Sequence, residues 1–459
     1  MSLVYFSGVV LWTTIPAFEF GYHTSALNQL QATMSCVTAN PTPGALNLPS
    51  CIPMSDTKFG ILTSALTLGG LVGSLWGGYY SDRLGRKGAS VLSSALFFLG
   101  ALAMAGAWAY PVLVLGRLFT GIGSGMGLCV VPVMLSELAA PKMKGAMGTL
   151  NQLAIVVGIL LTQAIGLVMA RQGLWRQVLV IAAGICALQL VSAPFIHDTP
   201  AWLEDHDRDA EAKRAAVLLW GEADPTLGDE EVPEEEAISE QQPLFEGEDA
   251  AEDVPATPKR LQPATFRELF TSPALRRPVI VVLLCFLAQQ GSGINSVIYY
   301  STNILGRLAP TLSPYISLII AVINALMTFP PVFLIDRIGK RTIMQLSIIA
   351  CVLFGILITV GLNVGQPVVS AVGIIGFVAA FAAGLGPVPY VITAQIAPYH
   401  AVSTLAALAL SMSWIVNFFV ALGFLPLRNL LSLGRGLDGN VFIVFLCILA
   451  FCGVSLWRL

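Results

Sequence analysis

The sequence predicts an all-α membrane protein of twelve transmembrane helices in two pseudo-symmetric six-helix bundles. Three observations carry this. Hydrophobic residues make up 56% of the 459-residue chain and charged residues only 11%, a balance foreign to soluble domains. The apolar residues fall into separated runs of about 20, the length a bilayer asks of a helix. A charged turn, Asp82-Arg-Leu-Gly-Arg-Lys87, returns as Asp336-Arg-Ile-Gly-Lys-Arg341, at the same place in each half of the chain.

The runs cover residues 4–24, 59–80, 89–109, 111–134, 147–170, 175–196, 278–304, 313–335, 342–362, 367–394, 403–427 and 439–457. The division is thus 1–196 for the N-terminal bundle, 197–277 for a connecting loop and 278–459 for the C-terminal bundle. The first run lacks a basic leading segment and holds Glu19 and His23, so it reads as a span rather than a removed signal peptide.

Basic residues set the orientation. Arg83, Arg86, Lys87, Lys142, Lys144, Arg337, Lys340 and Arg341 follow even-numbered helices, which places those loops and both termini in the cytosol. In the first loop on the other side lie Cys36 and Cys51, disulfide candidates in an oxidising compartment. Within the connecting loop, 204–219 and 262–277 read as short amphipathic helices. The stretch 222–253 is acidic, contains no Lys or Arg, and reads as disordered. Inside it, Glu240-Gln-Gln-Pro-Leu-Phe245 is a degraded sorting-signal pattern, weighed against plain linker.

The chemistry concentrates in Ala288-Gln-Gln-Gly-Ser-Gly-Ile-Asn-Ser-Val-Ile-Tyr-Tyr-Ser301. Unpartnered amides in hydrocarbon cost roughly 2–7 kcal/mol, so these groups must face protein, water or a ligand. Gln289, Gln290 and Asn295 offer uncharged donors and acceptors, which suit a neutral polyhydroxylated solute better than an ion. The competing reading is that they only join helices. Gly384-Leu-Gly-Pro-Val-Pro-Tyr390 loses helical hydrogen bonds in mid-span and reads as unwound backbone beside a cavity. Pro330 and Pro331 are expected to kink the eighth helix. Glu19 and His23, four apart, share a face, and ionisable groups in a span are expensive. A shared proton, and a pair near the membrane end that is simply solvated or salt-bridged, remain as readings. No nucleophile, metal-ligand spacing, cofactor motif or nucleic-acid-binding patch is present, which argues against an enzyme.

Together these motifs resemble the major facilitator superfamily, in its sugar-porter branch, which contains the glucose transporters. Gly116-Arg117, Ser136-Glu137, Gln152, Trp175-Arg176, Gln289 through Tyr300, Asn324, Gly386-Pro-Val-Pro-Tyr390, Trp414 and Asn417 match that branch. The resemblance implies transport of a hexose or related sugar or polyol by alternating access, as a monomer, in a plasma or vacuolar membrane. A non-transporting sugar sensor is the alternative. The implied solute-binding residues are Gln152, Gln289, Gln290, Asn295, Tyr299, Asn324, Tyr390, Trp414 and Asn417. Asp82, Arg83, Arg86, Glu137, Lys144, Asp336, Arg337 and Lys340 would form a cytosolic gate that locks one state.

Several positions depart from the branch. His23 stands where proton-coupled members have Asp and facilitative members an amide, so Glu19, His23 and Arg117 form the proton-coupling candidates, with Glu19 expected as the counter-charge of Arg117. Ala382 replaces a sugar-contacting Glu. Gln395 and Val402 replace the second half's Glu and Arg, which predicts a weaker latch there. Asp198 and Ala201 lie in a degraded Pro-Glu-Ser-Pro-Arg turn. The chain ends where the branch usually continues with a tail.

Overall fold

The structure, a computed structural model, describes residues 3–37, 48–139, 144–171, 173–221, 265–306, 308–331, 337–396, 398–432 and 436–458. The acidic stretch 222–253 and its sorting-signal pattern, Lys142 and Asp336 lie outside them.

Helices carry the N-terminal half: α1 (Leu3–Met34), α2 (Asp56–Ala105), α3 (Tyr110–Leu138), α4 (Lys144–Met169) and α5 (Trp175–Ser192). Two short helices follow, α6 (Pro200–Asp205) and α7 (Asp209–Trp220), where the sequence predicts one. The C-terminal half comprises α8 (Phe266–Thr271), α9 (Pro273–Gly291), α10 (Ile294–Gly306), α11 (Ser313–Met327), α12 (Lys340–Val364), α13 (Pro367–Ala380), α14 (Val388–Ile396), α15 (Tyr399–Leu431) and α16 (Asn440–Arg458). Among the described residues, nine helical stretches are long and apolar enough to cross a membrane.

Several spans are segmented differently from the sequence reading. The 50-residue α2 holds two predicted spans, bent at Gly85, whose φ of 82° suits glycine. The Asp198 carboxylate sits where a Cβ at Gly85 would go, so the turn is fitted to that acid. Helix α1 does not stop near residue 24 but runs to Met34. Helix α11 ends at Met327, ahead of Pro330 and Pro331, rather than kinking at them. Helices α9 and α10 are one span broken at Gly291–Gly293, with Gly293 at φ 81°. A single π turn, Phe381–Leu385, separates α13 from α14, as Gly384, Gly386, Pro387 and Pro389 lead one to expect.

Within the N-terminal half α2 packs on α3 through small residues, so closely that a side chain at Gly125 would strike the backbone of Gly70. The halves meet along α1–α10, α2–α15 and α4–α11. We distinguish two ends: the motif end, with Gly85 and Gly339, and the disulfide end, where Cys36 and Cys51 are bonded. The connection between α1 and α2 is tied down there. Trp175 Nε1 donates to Ser50 O at 2.7 Å, Arg176 donates to Pro49 O at 2.8 Å and Ala105 O at 2.6 Å, and Ile52 N donates to Met34 O at 2.8 Å.

Candidate functional site

The two breaks, at Gly291–Gly293 and Phe381–Gly386, are joined by side chains. Gln289 is 3% exposed, and its Nε2 donates to Leu385 O at 3.2 Å and Gly386 O at 2.6 Å. Gln290 is partly exposed. Its Nε2 donates to Ser413 Oγ at 2.7 Å and to Gln289 Oε1 at 3.2 Å, while its Oε1 accepts from Asn295 Nδ2 at 2.5 Å. Tyr299 and Asn417, both buried, exchange two long hydrogen bonds of 3.4 and 3.3 Å. Tyr300 donates to Ala421 O at 2.9 Å and acts as helix glue. The tyrosine of α14, Tyr390, lies edge-on to Phe286 at 5.1 Å, with its hydroxyl against Ser413.

Trp414 reaches the other half. Its ring covers Gly70 and meets Phe20 edge-on at 5.9 Å, and its buried Nε1 has no hydrogen-bond partner. Asn324 lines a small void between the halves with Gln163, Ser301 and Ser317. The buried Gln163 Oε1 is unpartnered. Gln152 is exposed on α4, and no hydrogen bond among the described residues ties it to the others.

The predicted residues thus divide. Gln290, Asn295, Tyr299, Tyr390 and Asn417 gather around the breaks. Trp414 and Asn324 face the N-terminal half, and Gln152 stands apart. Gln289 spends its donors on backbone. Sequence reasoning misses Ser413 and Gln163, although both are polar residues inside apolar runs, beside Ser411 and Thr162 respectively.

A second cluster lies inside the N-terminal half. Glu19, His23 and Arg117 are all 0% exposed, which rules out the solvated edge reading. Glu19 Oε2 approaches His23 Nε2 at 3.5 Å, and the Cys186 thiol faces the same carboxyl. The His23 ring stacks on Phe97 at 5.6 Å. Arg117 Nη1 donates to the backbone carbonyl of His23 at 2.7 Å. The expected pairing of Arg117 with Glu19 is therefore corrected: no ion pair joins them among the described residues, because Glu19 turns along its own helix to His23. Both carboxylate oxygens, both imidazole nitrogens and two Arg117 nitrogens are buried without hydrogen bonds.

At the motif end Arg86 holds Glu137 at 2.8 Å and Asp82 at 3.2 Å. Thr199 Oγ1 donates to Glu137 at 2.6 Å, and Lys87 N donates to Asp198 at 3.2 Å. Burial raises the Asp198 carboxyl above its ordinary range, against the pull of those backbone N–H groups. Arg83 lies over the Tyr79 ring at 5.2 Å. Lys340 bonds Gln395, and Arg337 is exposed. The side chain of Lys144, like Asp336, lies outside the description.

These bonds stay within one half each. The polar bonds between halves among the described residues lie at the disulfide end. Asn28 Nδ2 donates to Ser301 Oγ at 2.7 Å, Thr302 N donates to Asn28 Oδ1 at 3.1 Å, and Gln29 Nε2 donates to Pro314 O at 3.0 Å. Asp56 sits 3.6 Å from Arg428.

Comparison with known proteins places the chain in a family. The family model described as sugar (and other) transporter matches residues 9–458. A probable metabolite transport protein of Saccharomyces cerevisiae is 28% identical over 455 residues, covering 96% of this chain and 89% of the relative. The facilitated glucose transporter member 1 of Gallus gallus is 30% identical, covering 94% and 86%. The inward-open xylose transporter XylE from E. coli superposes with a TM-score of 0.74 at 20% identity, covering 99% and 96%, a likeness of fold. On the family match and these relatives, the chain belongs to the sugar-porter branch of the major facilitator superfamily, a family of multi-pass membrane transporters.

Proposed function

We propose that this chain carries a neutral polyhydroxylated solute, a hexose or related sugar or polyol, across its membrane by alternating access. The observation that carries the reading is the uncharged cluster of Gln290, Asn295, Ser413 and Tyr390 at two helix breaks. Solute hydroxyls exchange water for these groups, and Trp414 covers the carbon–hydrogen face. Asn324 and Asn417 complete the C-terminal side, and Gln152 swings in as the halves close. Residues 1–196 and 278–459 act as the two rocking bodies, with 197–277 between them. The motif end and both termini face the cytosol of a plasma or vacuolar membrane, and the carrier works as a monomer. Among the described residues the polar bonds between halves lie at the disulfide end, which fits a state closed on that side.

The test is counterflow of labelled hexoses and polyols into proteoliposomes. Uptake that Asn295→Ala abolishes is expected; binding without counterflow would replace the carrier with a sensor.

Proton coupling through Glu19 and His23 follows from their burial without hydrogen bonds, because such groups need a state in which water or a proton satisfies them. Arg117, held by the His23 carbonyl, ties α3 to the same turn of α1. Transport by a Glu19→Gln, His23→Ala variant should be independent of pH. Retained pH dependence would remove coupling while leaving the carrier intact.

A further inference from the structure

A helix cannot close its ladder around a proline, because the N–H that would reach back four residues is missing. Pro16 lies inside α1, so the carbonyl of Trp12 is left without its ladder partner. The end of α5 leaves a second such carbonyl. Helix α5 stops at Ser192 and the Ala193 N–H turns to Leu190 O, so no N–H four residues on reaches Gln189 O. The two residues answer each other. Gln189 Nε2 donates to Trp12 O at 3.0 Å, and Trp12 Nε1 donates to Gln189 O at 3.0 Å, which Ser192 Oγ also reaches at 3.1 Å. Ser94 of α2 donates to Gln189 Oε1 and so fixes which way the carboxamide faces. Trp12, Ser94 and Gln189 are 4%, 1% and 0% exposed. Helix α3 approaches at Gly127, where a side chain would collide with the Pro16 ring.

This clasp adjoins the buried ionisable cluster. Glu19 follows Pro16 by three residues, and Cys186, whose thiol faces the Glu19 carboxyl, precedes Gln189 by three. Helix α5 therefore meets α1 twice, with Cys186 at the carboxyl and Gln189 at the broken ladder. We propose that Gln189 is a positioning residue for proton exchange at Glu19: its carboxamide replaces the bond that Pro16 removes and holds this turn of α1 against α5. It acts through the backbone of α1, not on the carboxyl itself. A buried carbonyl left unsatisfied is costly, so without Gln189 the helix bends at Pro16 and carries Glu19 off Cys186. Among the described residues, the titratable or charged groups around Glu19 are His23 and Tyr22 on α1, Cys186 on α5 and Arg117 on α3, beside His23. The assignment rests on the coupling reading above, but its first test needs no solute.

The carboxyl band of Glu19 in infrared spectra of the full chain in proteoliposomes, identified by its loss in Glu19→Gln, reports proton exchange directly. Gln189→Leu is expected to move the midpoint of its pH titration, and that of the pH profile of counterflow, by about half a pH unit or more, roughly a threefold change in proton affinity. Adding Pro16→Ala supplies the missing N–H and should return both midpoints to the wild-type value. Pro16→Ala alone should leave them in place. Ser94→Ala should move them in the same sense as Gln189→Leu, by less. A lower melting temperature with unmoved midpoints would leave Gln189 a packing residue and overturn the assignment, as would a displacement that Pro16→Ala does not reverse. Should Gln189→Leu fail to fold, the double variant decides: folded protein with the wild-type midpoint is expected, and continued failure counts against the proposal. If wild-type counterflow does not vary with pH, coupling fails, and the infrared arm still judges Gln189. A Glu19 band that neither titrates nor changes frequency in Gln189→Leu then overturns it.

Discussion

Asn28 offers the sharpest handle on how the two halves part. Its side chain is 1% exposed, and both of its polar atoms bond α10, at 2.7 Å to Ser301 and 3.1 Å to Thr302. Each such bond is worth about 0.5–1.5 kcal/mol net. Asn28→Ala therefore removes about 1–3 kcal/mol. When the disulfide end opens, water satisfies the same groups, so the loss falls almost wholly on the closed state. At about 1.4 kcal/mol per factor of ten, the ratio of open to closed should rise roughly 5- to 150-fold. The assay is the distribution of distances between spin labels at Trp108 and Leu430, which are 68% and 71% exposed and belong to opposite halves; the exposed Cys447 is first replaced by serine. A shift of population to the longer distance is expected. An unchanged distribution in Asn28→Ala would refute the assignment of these bonds as the closure.

Three further outcomes follow from the packing and the charge pattern. The Cys36–Cys51 bridge spans a sequence separation of 15, and loops of that size stabilise by about 3 kcal/mol. Cys51→Ser should therefore lower the apparent melting temperature and make it insensitive to reductant. Gly125→Val drives a side chain into the Gly70 backbone, at a cost of at least about 1–3 kcal/mol, and size-exclusion chromatography should show loss of the monodisperse protein. Gln395→Glu gives Lys340 a charged partner at an exposed site, for a gain of no more than about 1 kcal/mol. The gain should appear as a higher melting temperature at low salt and vanish at high salt.

Much of the architecture was legible because the bilayer imposes a length and glycine imposes a conformation. The paired charged turns mark the bends, and Gly85 and Gly293 sit at positive φ where the motifs lead one to expect them. Gly384-Leu-Gly-Pro-Val-Pro-Tyr390 marks the broken helix for the same reason. What the sequence hid is where polar residues meet polar residues of the other half. Ser25, Asn28, Gln29 and Gln31 interrupt the apolar run and look like a loop, yet all four are buried in the last turns of α1. Two of them reach the other half, Asn28 to Ser301, 273 positions away, and Gln29 to Pro314, 285 positions away, and no local pattern encodes that. The counter-charge of Arg117 failed for a related reason. The cost of a lone buried cation points to Glu19, but a backbone carbonyl answers the guanidinium. Gln289 was found as a polar residue in a span. Its bonds to Leu385 O and Gly386 O depend on a break in another helix.

The seam between α1 and α2 has one more consequence. Trp175, Arg176, the bridge at Cys36 and Cys51, and the Ile52–Met34 bond all fasten the described part of that collar to the N-terminal half. On the proposed carrier reading, the rim on this side is the doorframe and Ile294–Gly306 the leaf that swings against it. An antibody raised against the collar should bind every conformer equally and count molecules, whereas one that grips the leaf should act as a brake.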